Sequence, residues 1–97
     1  MKLKKKVYIS GRIRGNKNYK AEFAAKEKEL KALGYEVLNP AKITLKSDKK
    51  AFKKAFSLLL MADCFYGLKG WEKSYGAQIE IAFALRAGLE FLDNKTV

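Results

Sequence analysis

The stretch that decides the fold is KVYISGRIRG, residues 6–15. Its first half combines β-branched and aromatic side chains, which predicts a β-strand over residues 6–10. Its second half holds two glycines and two arginines, which indicates a loop. Apolar residues at helical spacing between residues 18 and 33 then predict a helix, and Gly34 suits its C-terminal cap. A strand, a polar loop and a helix in this order are typical of an α/β sheet.

The same alternation continues along the chain. Further strands are predicted at residues 35–38, 63–68 and 89–92, and a basic loop at 41–50. Helical spacing of Phe52, Phe56, Leu59 and Leu60 predicts a second helix that ends near Met61, with Ser47 or Asp48 as its cap. A third helix is predicted at residues 77–87. The order β-α-β-α-β-α-β predicts a Rossmann-like or flavodoxin-like three-layer sandwich, α/β in class, with a mainly parallel four-stranded sheet. Residues 1–97 are enough for a single domain. Ligands of such sheets bind beyond the carboxyl ends of the strands.

Composition excludes several kinds of site. The chain has no His, which removes Ser-His and Cys-His nucleophile pairs and His-ligated metals. Its one cysteine, Cys64, excludes an intrachain disulfide and a Cys-rich zinc site. No apolar run reaches about 18 residues, and the stretch 7–9 is too short for a signal peptide. We therefore expect a cytoplasmic protein with no metal, no cofactor and no membrane segment.

The charge is strongly positive and unevenly distributed. Lys and Arg number 21 and Asp and Glu number 10, which gives a net charge of +11. Residues 1–54 contain 17 of the basic and 5 of the acidic residues. This is either a solvated surface or a field that attracts an anionic partner, such as a nucleotide, a nucleic acid or an anionic lipid surface. Charge alone does not choose among these.

Two residues stand out as candidates for chemistry. Glu80 lies in the apolar run of residues 79–85, where an unpaired charge costs several kcal/mol. Glu80 either lies on the one solvent-exposed face of its helix or points from the first turn of that helix into the crevice at the strand ends. Tyr8, just before the glycine loop, is either a core residue or a group near the site, and its hydroxyl needs a partner if it is buried.

The remaining candidates lie in two glycine-containing polar loops, one after the first strand and one before the third helix. The first loop is either solvated or an anion cradle of guanidinium and backbone N–H groups, formed by Gly11, Arg12, Ile13, Arg14 and Gly15. Ser74 and Gly76 precede the third helix and form either an ordinary N-cap or a phosphate-binding helix N-terminus. Trp71 is either a stacking platform for a base or a cover over the core.

Together these segments resemble the nucleoside 2-deoxyribosyltransferase superfamily, and within it the small deoxynucleoside monophosphate N-glycosidases. The resemblance spans residues 6–92 and is carried by residues 7–15, 33–40, 59–63 and 70–84. Its most specific part is the spacing from Ser74 to Glu80 with Gly76 between them, combined with Tyr8 and the Gly-x-Ile-Arg-Gly loop.

The resemblance implies a retaining mechanism at an N-glycosidic bond of a nucleoside or nucleoside 5′-monophosphate. Glu80 would be the nucleophile at the anomeric carbon, and the glycosyl-enzyme would pass to water or to another base. Tyr8 would position Glu80, while Arg14 and Ser74 would contact the 5′-phosphate. The resemblance also implies a homodimer. The rest of the expected substrate site is Gly11, Arg12, Ile13, Gly15, Trp71 and Gly76.

Two departures from the family pattern open alternatives. The carboxylate that assists leaving-group departure falls on Ala55, which cannot transfer a proton. Asp48 is two helical turns away, and Asp63 is expected to cap the start of the third strand. In some members of the family, a C-terminal residue from a neighbouring subunit completes the site. In this chain, Asn94 would have to supply that contact. The alternatives are therefore a nucleotide-binding protein without turnover and, supported by charge alone, a nucleic-acid-binding protein.

Overall fold

Strands and helices alternate along the chain as predicted. The computed structural model describes residues 4–13, 15–43, 48–73 and 77–93. In chain order, the elements are β1 (Lys6–Ser10), α1 (Tyr19–Ala32), β2 (Glu36–Leu38), α2 (Asp48–Leu60), β3 (Cys64–Gly67), α3 (Ala77–Ala87) and β4 (Glu90–Leu92). Gly34 and Gly88 follow α1 and α3 with φ of 96° and 74°, as helix-ending glycines do.

Two short 3₁₀ helices, Pro40–Lys42 and Trp71–Lys73, occupy stretches that the sequence predicted as loops. The first follows from local chemistry, because the side chain of Asn39 accepts a hydrogen bond from the backbone N–H of Ala41 at 2.9 Å. Pro40 also has a φ that suits the first position of a helix.

The four strands form one parallel sheet in the order β2-β1-β3-β4. This architecture is a Rossmann-like or flavodoxin-like α/β sandwich, and the predicted fold class is confirmed. The chain moves from β1 to β2 on one side and returns to β3 on the other. The carboxyl ends of β1 and β3, where Ser10 pairs with Gly67, therefore form the topological switch point at which α/β sheets bind ligands.

The core has two layers, one on each side of the sheet. Val7 and Ile9 belong to the layer that includes Phe23 and Leu30 of α1. Tyr8, which alternates with them along β1, belongs to the other layer, with Leu59 of α2, Phe65 of β3 and Ala84 of α3. The alternation of β1 therefore directs Tyr8 toward the side that carries α3.

The amino ends of the central strands are tied by Asp63. Its carboxylate oxygen Oδ2 accepts a hydrogen bond from the backbone N–H of Lys6 at 2.9 Å. Its own backbone N–H donates to the carbonyl of Lys6 at 2.8 Å. Asp63 thus caps the start of β3, as expected, and lies at the opposite end of β1 from Ser10. Within the described residues, no helix is long and apolar enough to cross a membrane.

Candidate active site

The candidate site is a carboxylate held by two hydroxyl groups. Tyr8 Oη donates to Glu80 Oε2 at 2.6 Å, and Ser10 Oγ donates to Glu80 Oε1 at 2.9 Å. Tyr8 and Ser10 lie two residues apart on β1 and therefore share a face of the strand. Glu80 comes from the first turn of α3, where the helix dipole favours a negative charge. Each carboxylate oxygen thus has its own donor.

All three side chains are buried. Tyr8 and Ser10 are each 1% exposed, and Glu80 is 7% exposed. Burial raises the pKa of Glu80 above its usual range, and the hydrogen bonds from Tyr8 and Ser10 oppose that rise. Burial and the nearby charge of Glu80 raise the pKa of Tyr8, so its hydroxyl stays protonated and can only donate to the carboxylate. Glu80 is therefore a desolvated carboxylate in a fixed orientation, which is the arrangement that a carboxylate nucleophile requires.

Aromatic residues of β3 and the segment after it line the same side of the sheet. The ring of Phe65 lies 6.1 Å from that of Tyr8, and Trp71 meets Phe65 edge-on at 5.4 Å between ring centroids. The indole of Trp71 also covers Gly67, where a Cβ atom would overlap it. Because Gly67 pairs with Ser10, Trp71 covers the end of β3 next to the candidate site.

Close contacts hold the described residues of the glycine loop after β1. Gly11 is buried, and a Cβ atom there would lie 2.9 Å from Phe23 of α1. Gly15 has a φ of 77°, which favours glycine, and the Arg12 guanidinium lies close to it. The loop is further fixed by Asn16, whose backbone N–H donates to the carbonyl of Ile13 at 3.1 Å. The side chains of Arg12 and Ile13 are exposed in this loop.

The structure therefore brings together part of the predicted site. Tyr8 and Glu80 are in direct contact, and Trp71 lies one aromatic ring away from Tyr8. Arg14, Ser74, Gly76 and Asn94 lie outside the described residues, as does the side chain of Asp48. Ala55 is half-buried in α2.

Sequence reasoning missed Ser10 and Gly67. The signal for Ser10 was its spacing of two residues from Tyr8, which places both side chains on one strand face. The signal for Gly67 was a glycine at the end of a strand, which often marks close approach of another group. In both cases the partner comes from a distant part of the chain.

A cavity lies at the other end of the sheet. Its volume is about 610 Å³, and it opens at the amino end of the sheet, lined by Lys4, Lys5, Lys6, Glu36, Met61 and Asp63. That end is opposite to the carboxyl ends of β1 and β3, where Glu80 is held. The described residues contain no group of three or more Cys, Asp or Glu side chains that could hold a metal ion.

Comparison with known proteins gives a family and no activity. No curated protein matches the chain. The model of a domain of unknown function, DUF4406, matches residues 5–93, a range that includes β1 and α3, which form the Glu80 site. The chain therefore belongs to the DUF4406 family.

Proposed function

We propose that this protein cleaves or transfers the N-glycosidic bond of a nucleoside or nucleoside 5′-monophosphate, with Glu80 as the nucleophile. The observation that carries the proposal is the buried carboxylate of Glu80, which accepts one hydroxyl at each oxygen. The resemblance to the nucleoside 2-deoxyribosyltransferase superfamily supports it, because that resemblance assigns the nucleophile to Glu80 and its positioning to Tyr8.

The proposed reaction has two steps at one carbon. A carboxylate oxygen of Glu80 attacks the anomeric carbon, the carbon–nitrogen bond breaks, and its electron pair leaves with the base. Water or a second base then attacks the same carbon, the ester bond to Glu80 breaks, and the carboxylate is restored. Because Tyr8 and Ser10 each donate to a different oxygen, the hydroxyl on the oxygen that does not attack keeps donating to it as the carbonyl of the ester, and this contact fixes the orientation of the ester.

The departing base needs a proton, and Ala55 cannot supply it. Loss of one general acid typically costs about 10²–10⁴-fold in rate. In this proposal the proton comes from water, and turnover is slow for that reason. Ala55 also supports a second candidate function, a protein that binds a nucleotide at the same site and releases no base.

The proposal extends to substrate contacts, assembly and location. Arg14 and Ser74 contact the 5′-phosphate, Trp71 stacks on the base, and the basic half of the chain attracts the anion. The protein acts as a homodimer in the cytoplasm and needs no metal or organic cofactor. Each of these assignments rests on the resemblance or on the residue chemistry described for the sequence.

The test is base release from a panel of nucleosides and 5′-monophosphates in both the ribo and the deoxy series. Free base is followed by chromatography, and the melting temperature is recorded on the same samples. We expect release by the wild type that is lost in Glu80→Gln and Glu80→Ala. Glu72→Gln, which changes an exposed carboxylate near the same sheet edge, serves as the matched control. Release that persists in the Glu80 variants would overturn the mechanism.

A ligand effect without chemistry would favour the second candidate. Binding alone stabilises the folded state by about 2.7 kcal/mol when the ligand is present at 100 times its dissociation constant. A raised melting temperature without base release would therefore identify a binding protein.

The dependence of the rate of base release on pH provides a second test of the mechanism. The hydrogen bond from Ser10 lowers the pKa of Glu80, so Ser10→Ala raises that pKa further. Because the nucleophile must be ionised, the acid limb of the rate profile moves to higher pH. Ser57→Ala, at an exposed serine of α2, leaves the profile unchanged.

A further inference from the structure

The solvent face of α2 carries four lysines. Lys49, Lys50, Lys53 and Lys54 are all exposed, and we call them the lysine face. At about 100° per residue, they form two rows on the side of the helix opposite Leu59, which is fully buried. The core therefore takes one side of α2, and the lysines occupy the first two turns of the other side.

This arrangement is unfavourable for the helix itself. Lys49 and Lys50 lie in the first turn of α2, where the helix dipole repels positive charge. Lys49 with Lys53, and Lys50 with Lys54, are like-charge pairs four residues apart, which also destabilise a helix. Residues that destabilise the helix in which they lie are expected where the surface of that helix has a function.

We propose that the lysine face binds the phosphate backbone of nucleic acid without reading its sequence. Charge complementarity identifies the partner as an anion, because four ammonium groups lie within two turns of one helix. The positive charge also continues beyond α2, since residues 1–54 contain 17 Lys or Arg against 5 Asp or Glu. An extended field of this kind fits a long polyanion better than a short acidic segment of another protein.

The packing of α2 argues against a lipid surface as the partner. A helix that lies on a membrane inserts its apolar face into the lipid. Part of the apolar side of α2 is already used, because Phe52 stacks on Phe56 at 6.1 Å and Phe56 meets Phe83 of α3 at 5.5 Å. The exposed apolar side chains of α2, Phe52 and Leu60, are eight residues apart, more than two turns, and do not form the continuous apolar face that a membrane-bound helix inserts.

The experiment measures binding of a fluorescent single-stranded 20-mer by anisotropy across a range of salt concentrations. The test variant changes Lys49, Lys50, Lys53 and Lys54 to Gln. The control variant removes the same charge elsewhere, at the exposed residues Lys4, Lys17, Lys20 and Lys28. We expect the slope of log affinity against log salt to become shallower by about 3 in the test variant, since each neutralised phosphate contributes about 0.7. The control variant retains most of the slope.

Four outcomes would overturn the proposal. Equal losses in the two variants would mean that net charge alone drives binding. Failure of the wild type to bind the 20-mer at low salt would exclude the partner directly. Binding to anionic vesicles but not to the 20-mer would move the lysine face to a lipid surface. The melting temperature of the test variant should be unchanged or raised, and a fall would mean that the lysines serve the fold. Base release from mononucleotides is measured separately, on the wild type and on Glu80→Gln, so that failure of the proposed function is distinguished from failure of this proposal.

Discussion

At the scale of single residues, two buried carboxylates are held in opposite ways. Within the described part of the chain, Glu80 accepts from two neutral hydroxyls, and burial raises its pKa. Glu27 of α1 is also desolvated by burial, but Lys31 and Lys42 contact its Oε2 at 2.8 Å and 2.9 Å, and Asn39 donates to its Oε1. These partners outweigh burial and lower the pKa of Glu27 to about 2. The pKa of Glu80 is thus raised and that of Glu27 is lowered. Such a difference in environment distinguishes a reactive carboxylate from a structural one.

The structural role of Glu27 gives a stability that depends on pH. Its folded pKa of about 2 lies below the ordinary value of 4.5, so its contribution is fully present above pH 4.5 and is lost as the pH falls toward 2. We expect Glu27→Gln to lower the free energy of unfolding by about 2 kcal/mol at pH 7, less than the full shift implies because both lysines are exposed. Urea denaturation at several pH values measures this difference.

The difference between Glu27→Gln and the wild type should become small near pH 2, where the wild-type carboxyl is about half protonated. Glu29→Gln is the matched control, because Glu29 makes an exposed ion pair with Lys26 at 2.9 Å. It should cost less than about 1 kcal/mol at any pH. An equal loss at pH 7 and pH 2 for Glu27→Gln would assign the effect to packing and not to charge.

At the scale of elements, the carboxyl ends of β1 and β3 organise the candidate site. β1 supplies both hydroxyls, α3 supplies the carboxylate, and the end of β3 provides the glycine that lets Trp71 approach. A side chain at Gly67 would push the indole away from Phe65. The close approach therefore depends on one missing Cβ atom.

Gly67→Ala tests this packing directly. We expect it to lower the free energy of unfolding by about 1–3 kcal/mol, as overpacking does. It should also shift the emission of Trp71, the only tryptophan of the chain, to longer wavelength as the indole becomes more exposed. Urea denaturation and fluorescence spectra measure the two effects.

Gly34→Ala provides the contrast for Gly67→Ala. Gly34 has a φ of 96° and no atom near the position of a Cβ, so the variant is strained without overlap. It should cost about 1–2 kcal/mol and leave the emission of Trp71 unchanged. An unchanged spectrum in Gly67→Ala would mean that the indole does not depend on that glycine.

The elements themselves were largely predictable, and the contacts between them were not. Apolar spacing within residues 18–33 and 77–87 gave both helices, because that pattern is local. The 3₁₀ turn at Pro40–Lys42 escaped prediction because it depends on a cap from the Asn39 side chain. The pairing of Tyr8 with Glu80 joins groups 72 residues apart, and periodicity holds no information about such a distance. Only the family resemblance indicated it.

At the scale of the whole molecule, the net charge of +11 acts on stability. The molecule measures 39 × 28 × 23 Å, and the Debye length is about 30 Å at 0.01 M salt and about 8 Å at 0.15 M. At low salt, therefore, nearly every lysine is repelled by all the others. The alternation of elements predicted a parallel sheet from the sequence. The strand order was not predictable in this way, because it depends on the side on which each crossover packs. The repulsion between distant lysines likewise depends on the folded shape.

Added sodium chloride should accordingly raise the melting temperature between about 0.01 M and 0.15 M, because screening weakens the repulsion. The rise should be smaller in the variant that changes Lys4, Lys17, Lys20 and Lys28 to Gln, which has four fewer positive charges. Differential scanning calorimetry measures both. A melting temperature that is constant or falls over this range would mean that attractive ion pairs dominate.

The sheet ends on both sides in a strand of only three residues, β2 and β4. A free edge is a template on which a foreign strand can add, and a template this short offers few backbone groups for that purpose. The longer strands, β1 with five residues and β3 with four, have the candidate site at their carboxyl ends. They lie inside the sheet, between β2 and β4. The fold thus protects itself against aggregation through sheet extension, so concentrated solutions should resist fibril formation even when salt has screened the charge.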